Sequence, residues 1–346
     1  MTSPSYLALA ESGELAERVR RLDGLLSNCT VCPHECRIDR SLELGFCSTG
    51  VDPVVASWTA HFGEEPVISG RRGSGTVFLA NCNMRCVFCQ NHQISQDPEA
   101  FREAATIAEA LADIFLGLQK QGCHNLNWVS PSHQAPQLVR ALEVAARRGL
   151  KLPVVYNSNG YDSVEVLSLL DGVVDIYMPD LKYADEENAA ECSRVADYPR
   201  RARNAITEMF RQVGDGWEIG PEGTLERGLL LRMLVLPNDL AGVRESLQWV
   251  AENLSPRVGI SLMAQYYPSH LAVTSRRYPL LTRTISAGEW RRAVDGLETF
   301  MEGDHHWVQD HRLAPAYYRP DFSDTSEPFT DRRDFDLSEP TPPEDI

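Results

Sequence analysis

The strongest constraint on the fold is an alternation of short apolar runs with helical patterns, which begins near residue 73. Each run lacks clean polar alternation, as expected for strands that are buried on both faces of a parallel sheet. Helical patterns separate the runs, so six βα units with right-handed crossovers are predicted. Periodicity alone leaves two architectures open, a doubly wound sheet and a partial barrel. The six runs are Thr76–Ala80, Leu126–Val129, Pro153–Tyr156, Val173–Met178, Leu229–Leu236 and Gly259–Met263.

The two ends of the chain differ from this middle part. One amphipathic helix is predicted around Leu7–Leu26, followed by a turn-rich stretch with four cysteines. We expect an N-terminal helix and metal module over residues 1–72, a core barrel over 73–302 and a C-terminal extension over 303–346. From residue 320 onward the chain has nine acidic residues, two arginines and five prolines, which is typical of an extended, solvated tail. An acidic docking arm is the alternative.

The charge balance argues against two classes of partner. With 33 basic and 49 acidic residues the net charge is −16, which disfavours binding to nucleic acid or to an anionic membrane surface. We recognise neither a secretory signal nor an apolar stretch of membrane-spanning length, so a cytoplasmic location is expected. Nine cysteines in such a chain argue against a disulfide framework, and seven of them cluster at short spacings, which points to metal.

Three cysteines directly follow the first predicted strand. Cys82, Cys86 and Cys89 have the spacing C-x3-C-x2-C. A short loop with three thiolates can bind three corners of a cubane iron–sulfur cluster, and the missing fourth cysteine would leave one iron open to a substrate or cofactor. The alternative is a zinc site in which His92 is the fourth ligand.

This segment resembles the signature of radical S-adenosylmethionine (SAM) enzymes, in which a C-x3-C-x-aromatic-C loop follows the first strand. Phe88 occupies the aromatic position. The resemblance implies a [4Fe–4S] cluster whose open iron chelates SAM. It also implies one-electron cleavage of SAM to a 5′-deoxyadenosyl radical that abstracts hydrogen from a substrate. The family fold is a partial parallel (β/α)6 barrel, which agrees with the six units and decides between the two architectures.

Polar residues follow the other predicted strands, where the reacting groups of α/β barrels collect. Many radical SAM enzymes have a Gly-Gly-Glu motif after the second strand; this chain has Ser130 and Ser132 there instead. By resemblance, Asn157 and Asn159 correspond to a ribose-contacting Asn-Gly turn. Taken singly, such residues often form turns or ion pairs. Polar groups at five successive strand ends nevertheless favour an active site. The candidate cofactor-binding residues are Phe88, Ser130, Ser132, Asn157, Asn159, Asp180, Lys182 and Arg232.

The residues Asp180 to Lys182 also resemble the Asp-Leu-Lys segment of glycyl-radical activating enzymes. The wider likeness is to radical SAM proteins related to the pyruvate formate-lyase activating enzyme. It implies an electron donor such as flavodoxin or ferredoxin, and a protein substrate such as a glycyl-radical enzyme. Two alternatives stay open, namely a small-molecule substrate and a non-catalytic iron–sulfur or zinc protein that acts as sensor or scaffold.

Four further cysteines precede the radical SAM segment. Cys29, Cys32, Cys36 and Cys47 have the spacing C-x2-C-x3-C-x10-C. Four thiolates can close a tetrahedral zinc site, hold a second iron–sulfur cluster or remain without metal, and the spacing does not choose among these.

Overall fold

The computed structural model describes residues 3–312, 319–323, 325, 328 and 329. Most of the predicted acidic tail lies outside these residues. Within them, nine strands join one sheet. The strands are β1 (Val55–His61), β2 (Ser74–Leu79), β3 (Leu126–Val129), β4 (Val154–Asn157), β5 (Ile176–Tyr177), β6 (Glu218–Ile219), β7 (Leu225–Leu234), β8 (Gly259–Met263) and β9 (His306–Val308).

The sheet is a partial barrel. Its order is β1-β2-β3-β4-β5-β7-β8-β9, and the pairings from β2 to β9 are parallel. Strand β1 is antiparallel to β2, and β6 pairs antiparallel with β7. The six predicted strands and the α/β fold class are therefore confirmed. Strands β1 and β9 were not predicted, and they extend the sheet across the proposed module boundaries at residues 72 and 302.

The helices lie between the strands and before β1. They are α1 (Tyr6–Ser12), α2 (Glu14–Gly24), α3 (Pro66–Ser69), α4 (His92–Ser95), α5 (Ala108–Lys120), α6 (Ala135–Arg147), α7 (Val164–Leu169), α8 (Glu186–Ser193), α9 (Tyr198–Val213), α10 (Val243–Asn253), α11 (Leu271–Thr274) and α12 (Ala287–Phe300). The single predicted helix over Leu7–Leu26 is wrong, because Gly13 adopts a φ of 82° and separates α1 from α2. No described helix is long and apolar enough to cross a membrane.

Side chains alternate between the two faces of the strands. Tyr156 on β4 and Tyr177 on β5 belong to the large core between the sheet and its helices. Their neighbours Val155 and Ile176 face the barrel interior, where they pack with Ile68 from α3. This inner apolar cluster lies toward the N-terminal ends of the strands. Polar residues occupy the barrel interior at the C-terminal ends of the strands.

Candidate active site

The loop after β2 carries three cysteine thiols, each beside a polar partner. The Sγ of Cys82 accepts hydrogen bonds from the Met84 backbone N–H at 3.3 Å and from Asn159 Nδ2 at 3.4 Å. The Sγ of Cys86 accepts from Ser193 Oγ at 3.0 Å. The third thiol, that of Cys89, lies 3.3 Å from the Oγ of Ser95. These partners come from the loop itself, from the β4 end and from α4 and α8, so distant parts of the chain converge on the loop.

Burial controls the protonation of two of these thiols. It raises the pKa of Cys86 to about 12 and raises the pKa of Cys82 above its ordinary value. The positive charge of Lys182 opposes the effect of burial at Cys86. Because metals bind the thiolate form, loading of this loop with iron must release protons.

A charged network occupies the barrel interior beside this loop. Arg232 donates from Nε to Asp180 Oδ1 at 2.9 Å, and Lys182 pairs with the other oxygen of Asp180. The NH1 of Arg232 also lies 3.4 Å from Glu64 Oε2. Asn157, at the end of β4, donates from Nδ2 to Glu64 Oε1 at 3.2 Å. The strand-end residues expected at the active site thus meet one another.

Opposite charges hold most of this network in ionised form. Although burial alone would raise the pKa of Asp180, Arg232 and Lys182 bring that pKa below its ordinary value. The turn after β4 is tied to the same place, because the Tyr198 hydroxyl lies 2.8 Å from both the Asn159 and the Asp180 carbonyl oxygens. Gly160 has a φ of 80°, and a Cβ there would lie 2.3 Å from the Asp180 carbonyl oxygen. Only glycine therefore lets this turn approach Asp180 so closely.

The other three predicted cofactor-binding residues lie outside the charged network. Ser130 ends β3 in a left-handed conformation and donates its N–H to the Asn157 carbonyl at 2.9 Å. Ser132 differs from the expectation, because it is buried beside Asp162 and Tyr156 on the helix-facing side of the sheet. Phe88 is buried edge-to-face against Tyr266, with ring centroids 5.7 Å apart, so its role in this structure is to anchor the loop.

The four N-terminal cysteines are free thiols in one small region. Cys29, Cys32 and Cys47 are buried and Cys36 is half-buried. Arg40, itself only 3% exposed, donates from Nε to the Cys29 Sγ at 3.1 Å and from NH1 to the His133 carbonyl at 2.8 Å. Burial and the neighbouring Cys47 raise the pKa of Cys32. A buried guanidinium beside several thiols suits a centre that carries negative charge when its thiolates bind metal.

This cysteine-rich region contacts the loop after β2. The His34 Nε2 lies 2.8 Å from the Asn83 carbonyl oxygen, and the His34 ring stacks on Phe46 at 3.9 Å. Arg85 donates to the Phe46 carbonyl at 2.6 Å and covers the Phe46 ring at 4.8 Å. Asn83 also accepts at Oδ1 from Asn159 Nδ2 at 2.8 Å. The two cysteine sets are therefore joined by direct contacts.

The donor set of the loop fits a cubane cluster. Its three soft sulfur ligands lie on eight consecutive residues and have polar partners; Cys82 is buried, and Cys86 and Cys89 are half-buried. Among the described residues, no group of three or more His, Cys, Asp or Glu side chains is arranged to hold one metal ion. A cubane cluster does not require several side chains around one metal ion, because each cysteine would bind a different iron atom. His92, the alternative zinc ligand, directs Nδ1 at the Cys89 carbonyl at 3.1 Å and stacks on His270.

Three residues of this site were not expected from the sequence. Glu64 belongs to the segment between β1 and α3, and Ser95 and Ser193 end short helices. None of them follows a predicted strand or belongs to a spaced motif. The one available signal was the adjacent pair of glutamates at 64 and 65 before Pro66, and such pairs are usually exposed.

Comparison with known proteins finds a matching family model and similar proteins, including the following two. Residues 76–214 match the model described as the radical SAM superfamily. An uncharacterized protein from Methanocaldococcus jannaschii is 29% identical over 296 residues, a match that spans 82% of this chain and 78% of that protein. A radical SAM methyltransferase from Sphaerobacter thermophilus has a solved structure similar at a TM-score of 0.46 and 14% identity, over 70% of this chain and 68% of that one.

The range matched by the family model begins within β2 and ends just after α9. It contains the cysteine loop, Asn159, Asp180 and Lys182. Glu64 and Arg232 lie outside it, although both contact the same network.

Proposed function

We propose that the chain is a radical SAM enzyme, which cleaves SAM reductively and abstracts hydrogen from a substrate; the match of residues 76–214 to the radical SAM superfamily model supports this. One observation carries the proposal. Two of the three thiols of the loop meet polar strand-end residues, because Asn159 Nδ2 donates to the Cys82 sulfur and the charge of Lys182 acts on Cys86.

The roles of this chain's own residues follow from those contacts. Cys82, Cys86 and Cys89 would hold three irons of a [4Fe–4S] cluster. When bound, the cluster supplies the electron that cleaves SAM to methionine and a 5′-deoxyadenosyl radical. Asn159 and Ser193 would donate hydrogen bonds to the ligand sulfurs, which tunes the reduction potential of such clusters.

The polar residues beyond the sulfurs are the proposed SAM contacts. Asn157 and Asn159 offer amide groups to the hydroxyls of a ribose. Asp180, Lys182 and Arg232 present both signs of charge to the amino and carboxylate groups of the methionine part. Ser130 stays a candidate at the end of β3, whereas Ser132 is a weaker one because its side chain is buried on the outer side of the sheet.

The electron donor, the location, the substrate and the N-terminal metal centre are also proposals. We propose that a small reductase such as flavodoxin or ferredoxin supplies the electron, and that the cytoplasm is the location. A glycyl-radical protein as substrate is supported by the likeness of the Asp180–Lys182 segment to activating enzymes. We further propose that Cys29, Cys32, Cys36 and Cys47 hold a metal centre, either zinc or a second cluster. The buried Arg40 beside Cys29 supports this assignment.

The test of the proposed function is formation of 5′-deoxyadenosine. Protein reconstituted anaerobically with iron and sulfide would be reduced with dithionite in the presence of SAM and analysed by chromatography. The wild type is expected to form 5′-deoxyadenosine, and Cys89→Ala is expected to reduce it to background because one corner of the cluster loses its ligand. Cys123→Ala is the matched control, since that buried thiol lies outside both cysteine sets.

Two results would contradict the proposal. One is 5′-deoxyadenosine formation that is equal in the wild type and in Cys89→Ala. The other is a cluster-loaded wild type that neither forms the product nor binds SAM in a calorimetric titration. SAM binding without cleavage would indicate that the substrate is needed to trigger cleavage. The titration separates that case from a non-catalytic scaffold, which is not expected to bind SAM.

A further inference from the structure

Two adjacent glutamates lie at the centre of the barrel, although they come from the segment between β1 and α3. Glu64 Oε1 accepts from Asn127 Nδ2 on β3 at 3.0 Å and from Asn157 Nδ2 on β4 at 3.2 Å. Glu65 lies beside Arg232 on β7 and Ser261 on β8, whose charge and hydroxyl both act on its pKa. The pair therefore touches side chains from four of the barrel strands.

Three oxygen atoms in this cluster lack a hydrogen-bond partner among the described residues. They are Glu65 Oε2, Asn127 Oδ1 and Ser261 Oγ. Glu65 is 7% exposed, and Asn127 and Ser261 are fully buried. Leaving buried polar atoms unpaired costs about 1–3 kcal/mol each. The Ser261 hydroxyl can donate to Glu65, on whose pKa it acts, but Asn127 Oδ1 and the ionised Glu65 carboxylate only accept, so a group with several N–H donors would satisfy them.

The charges of this cluster also favour a bound cation, because carboxyl groups outnumber the cationic side chains. Glu64, Glu65 and Asp180 contribute three carboxyl groups, whereas Arg232 and Lys182 contribute two cations. Arg232 is directed to Asp180 and Glu64, and Lys182 to Asp180. Burial raises the pKa of Glu64 and of Glu65, and the charge of Arg232 opposes this effect at both residues. A cation with N–H donors would balance both the charge and the hydrogen bonds.

The cluster is close enough to solvent to receive a small group. The charged side chains of the same network keep partial exposure, at 10% for Glu64, 13% for Asp180, 16% for Arg232 and 18% for Lys182. These residues also contact the proposed SAM site. A substrate bound there would place one end at the proposed SAM site and the other end at the glutamate pair.

We propose that Glu64 and Glu65, with Asn127 and Ser261, form a subsite for a protonated primary amine of the substrate. This inference rests on the proposed function, because it assigns the substrate class of the same cavity. Glu64 and Glu65 supply the countercharge, and the Asn127 and Ser261 oxygens accept the remaining N–H bonds. Asn127 and Ser261 lie on β3 and β8, and Glu64 is held by its contacts to Asn127 and Arg232, so the subsite is formed before the substrate arrives.

The test uses methylammonium chloride as the probe and reconstituted, SAM-bound protein as the receptor. Binding is followed by saturation-transfer NMR on the methyl protons of the probe. Saturable binding to the wild type is expected, and Glu65→Gln should weaken it about tenfold, because a charge-assisted hydrogen bond is lost. Glu99→Gln is the matched control, since its side chain is 70% exposed and should leave binding unchanged.

Tetramethylammonium and potassium distinguish an amine subsite from other cation binding. Tetramethylammonium has no N–H group and should not displace the probe. Potassium should displace it no better than sodium does. The proposal is overturned if tetramethylammonium displaces the probe, if potassium displaces it better than sodium does, or if Glu65→Gln binds the probe as tightly as the wild type.

A second variant covers the case in which Glu65→Gln does not fold. Ser261→Ala removes one acceptor without changing charge, and it should weaken methylammonium binding about threefold. Unchanged binding in a folded Ser261→Ala protein would count against the subsite. 5′-Deoxyadenosine formation is measured in the same samples. Cleavage of SAM without amine binding refutes this inference alone, and amine binding by a cluster-loaded protein that neither cleaves nor binds SAM refutes the proposed function alone.

Discussion

At the scale of single residues, Asp180 connects the fold to the site. Its carboxylate pairs with Arg232 and Lys182, and its backbone carbonyl accepts from the Tyr198 hydroxyl that also contacts Asn159. The surroundings of Asp180 are mostly shielded from water. Buried pairs contribute little net stability, but removal of one partner leaves a charge without compensation.

We predict that Asp180→Asn lowers the free energy of unfolding by about 3 kcal/mol, because Arg232 and Lys182 would remain buried without their partner. Urea unfolding at neutral pH measures the change. Asp113→Asn is the control, since Asp113 pairs with Arg148 at the surface with 63% of its side chain exposed. Its loss should cost less than about 1 kcal/mol. Equal effects of the two variants would show that the interior network does not depend on Asp180.

At the scale of secondary structure, α12 shows how a local signal and a distant contact combine. Ser286 and Glu289 form a capping box at its N-terminus. The Glu289 carboxylate also accepts from the Asn238 N–H at 2.6 Å and from both terminal nitrogens of Arg283, at 2.7 and 2.8 Å. These donors, with Arg283 as the largest contributor, hold the pKa of Glu289 far below its ordinary value.

We predict that Glu289→Ala lowers the free energy of unfolding by about 1–2 kcal/mol at pH 7, the range for loss of a helix cap. Because the pKa of Glu289 is lower in the folded state, its contribution is complete above the unfolded-state pKa of about 4.3. The contribution is lost as the pH falls below that value. Thermal unfolding between pH 3 and 7 should show the wild type and variant converging at low pH.

Glu298→Ala on the same helix is the control, because Glu298 is exposed. This change should leave stability nearly unaltered across the pH range. A constant difference between the wild type and Glu289→Ala down to pH 3 would contradict the assigned role of the ionised carboxylate.

At the scale of the whole molecule, described residues that follow β9 pack back onto the barrel. Phe322 is 4% exposed and meets Phe78 on β2 edge-to-face, with ring centroids 5.3 Å apart. Its backbone N–H donates to Gln93 Oε1 at 2.8 Å, just after the cysteine loop. Phe329 packs against the same Phe78 ring. The C-terminal segment thereby covers apolar surface near the proposed site.

We predict that Phe322→Ala costs about 3 kcal/mol in the free energy of unfolding, as for other large aromatic side chains removed from a core. Chemical denaturation of the full chain measures this cost. Leu280→Ala should cost less than about 0.5 kcal/mol, because the Leu280 residue is 52% exposed. A cost for Phe322→Ala no greater than that of the control would mean that the segment contributes nothing to stability.

Some features could be read from the sequence because their causes are local. The strands β2, β3, β4, β5, β7 and β8 were predicted because a strand buried on both faces needs an uninterrupted apolar run. Where a local pattern was ambiguous, the prediction was wrong. The apolar face over Leu7–Leu26 continues across Gly13, yet a backbone with a φ of 82° ends α1 there. Strands β1 and β9 were missed because they lie at the edges of the sheet, where the apolar pattern is weak.

The sequence by itself determined the cysteine spacing, the order of βα units and the positions of polar strand ends, because each of these is a pattern among near neighbours. Only the tertiary structure decided which groups meet. Asn159 reaches the Cys82 sulfur across 77 positions, and Glu64 reaches Arg232 across 168. Such contacts depend on how the sheet curves and on which connecting segment enters the barrel. The glutamate pair therefore joins the site through tertiary contacts, and its adjacency before Pro66 was too weak a local signal to predict this.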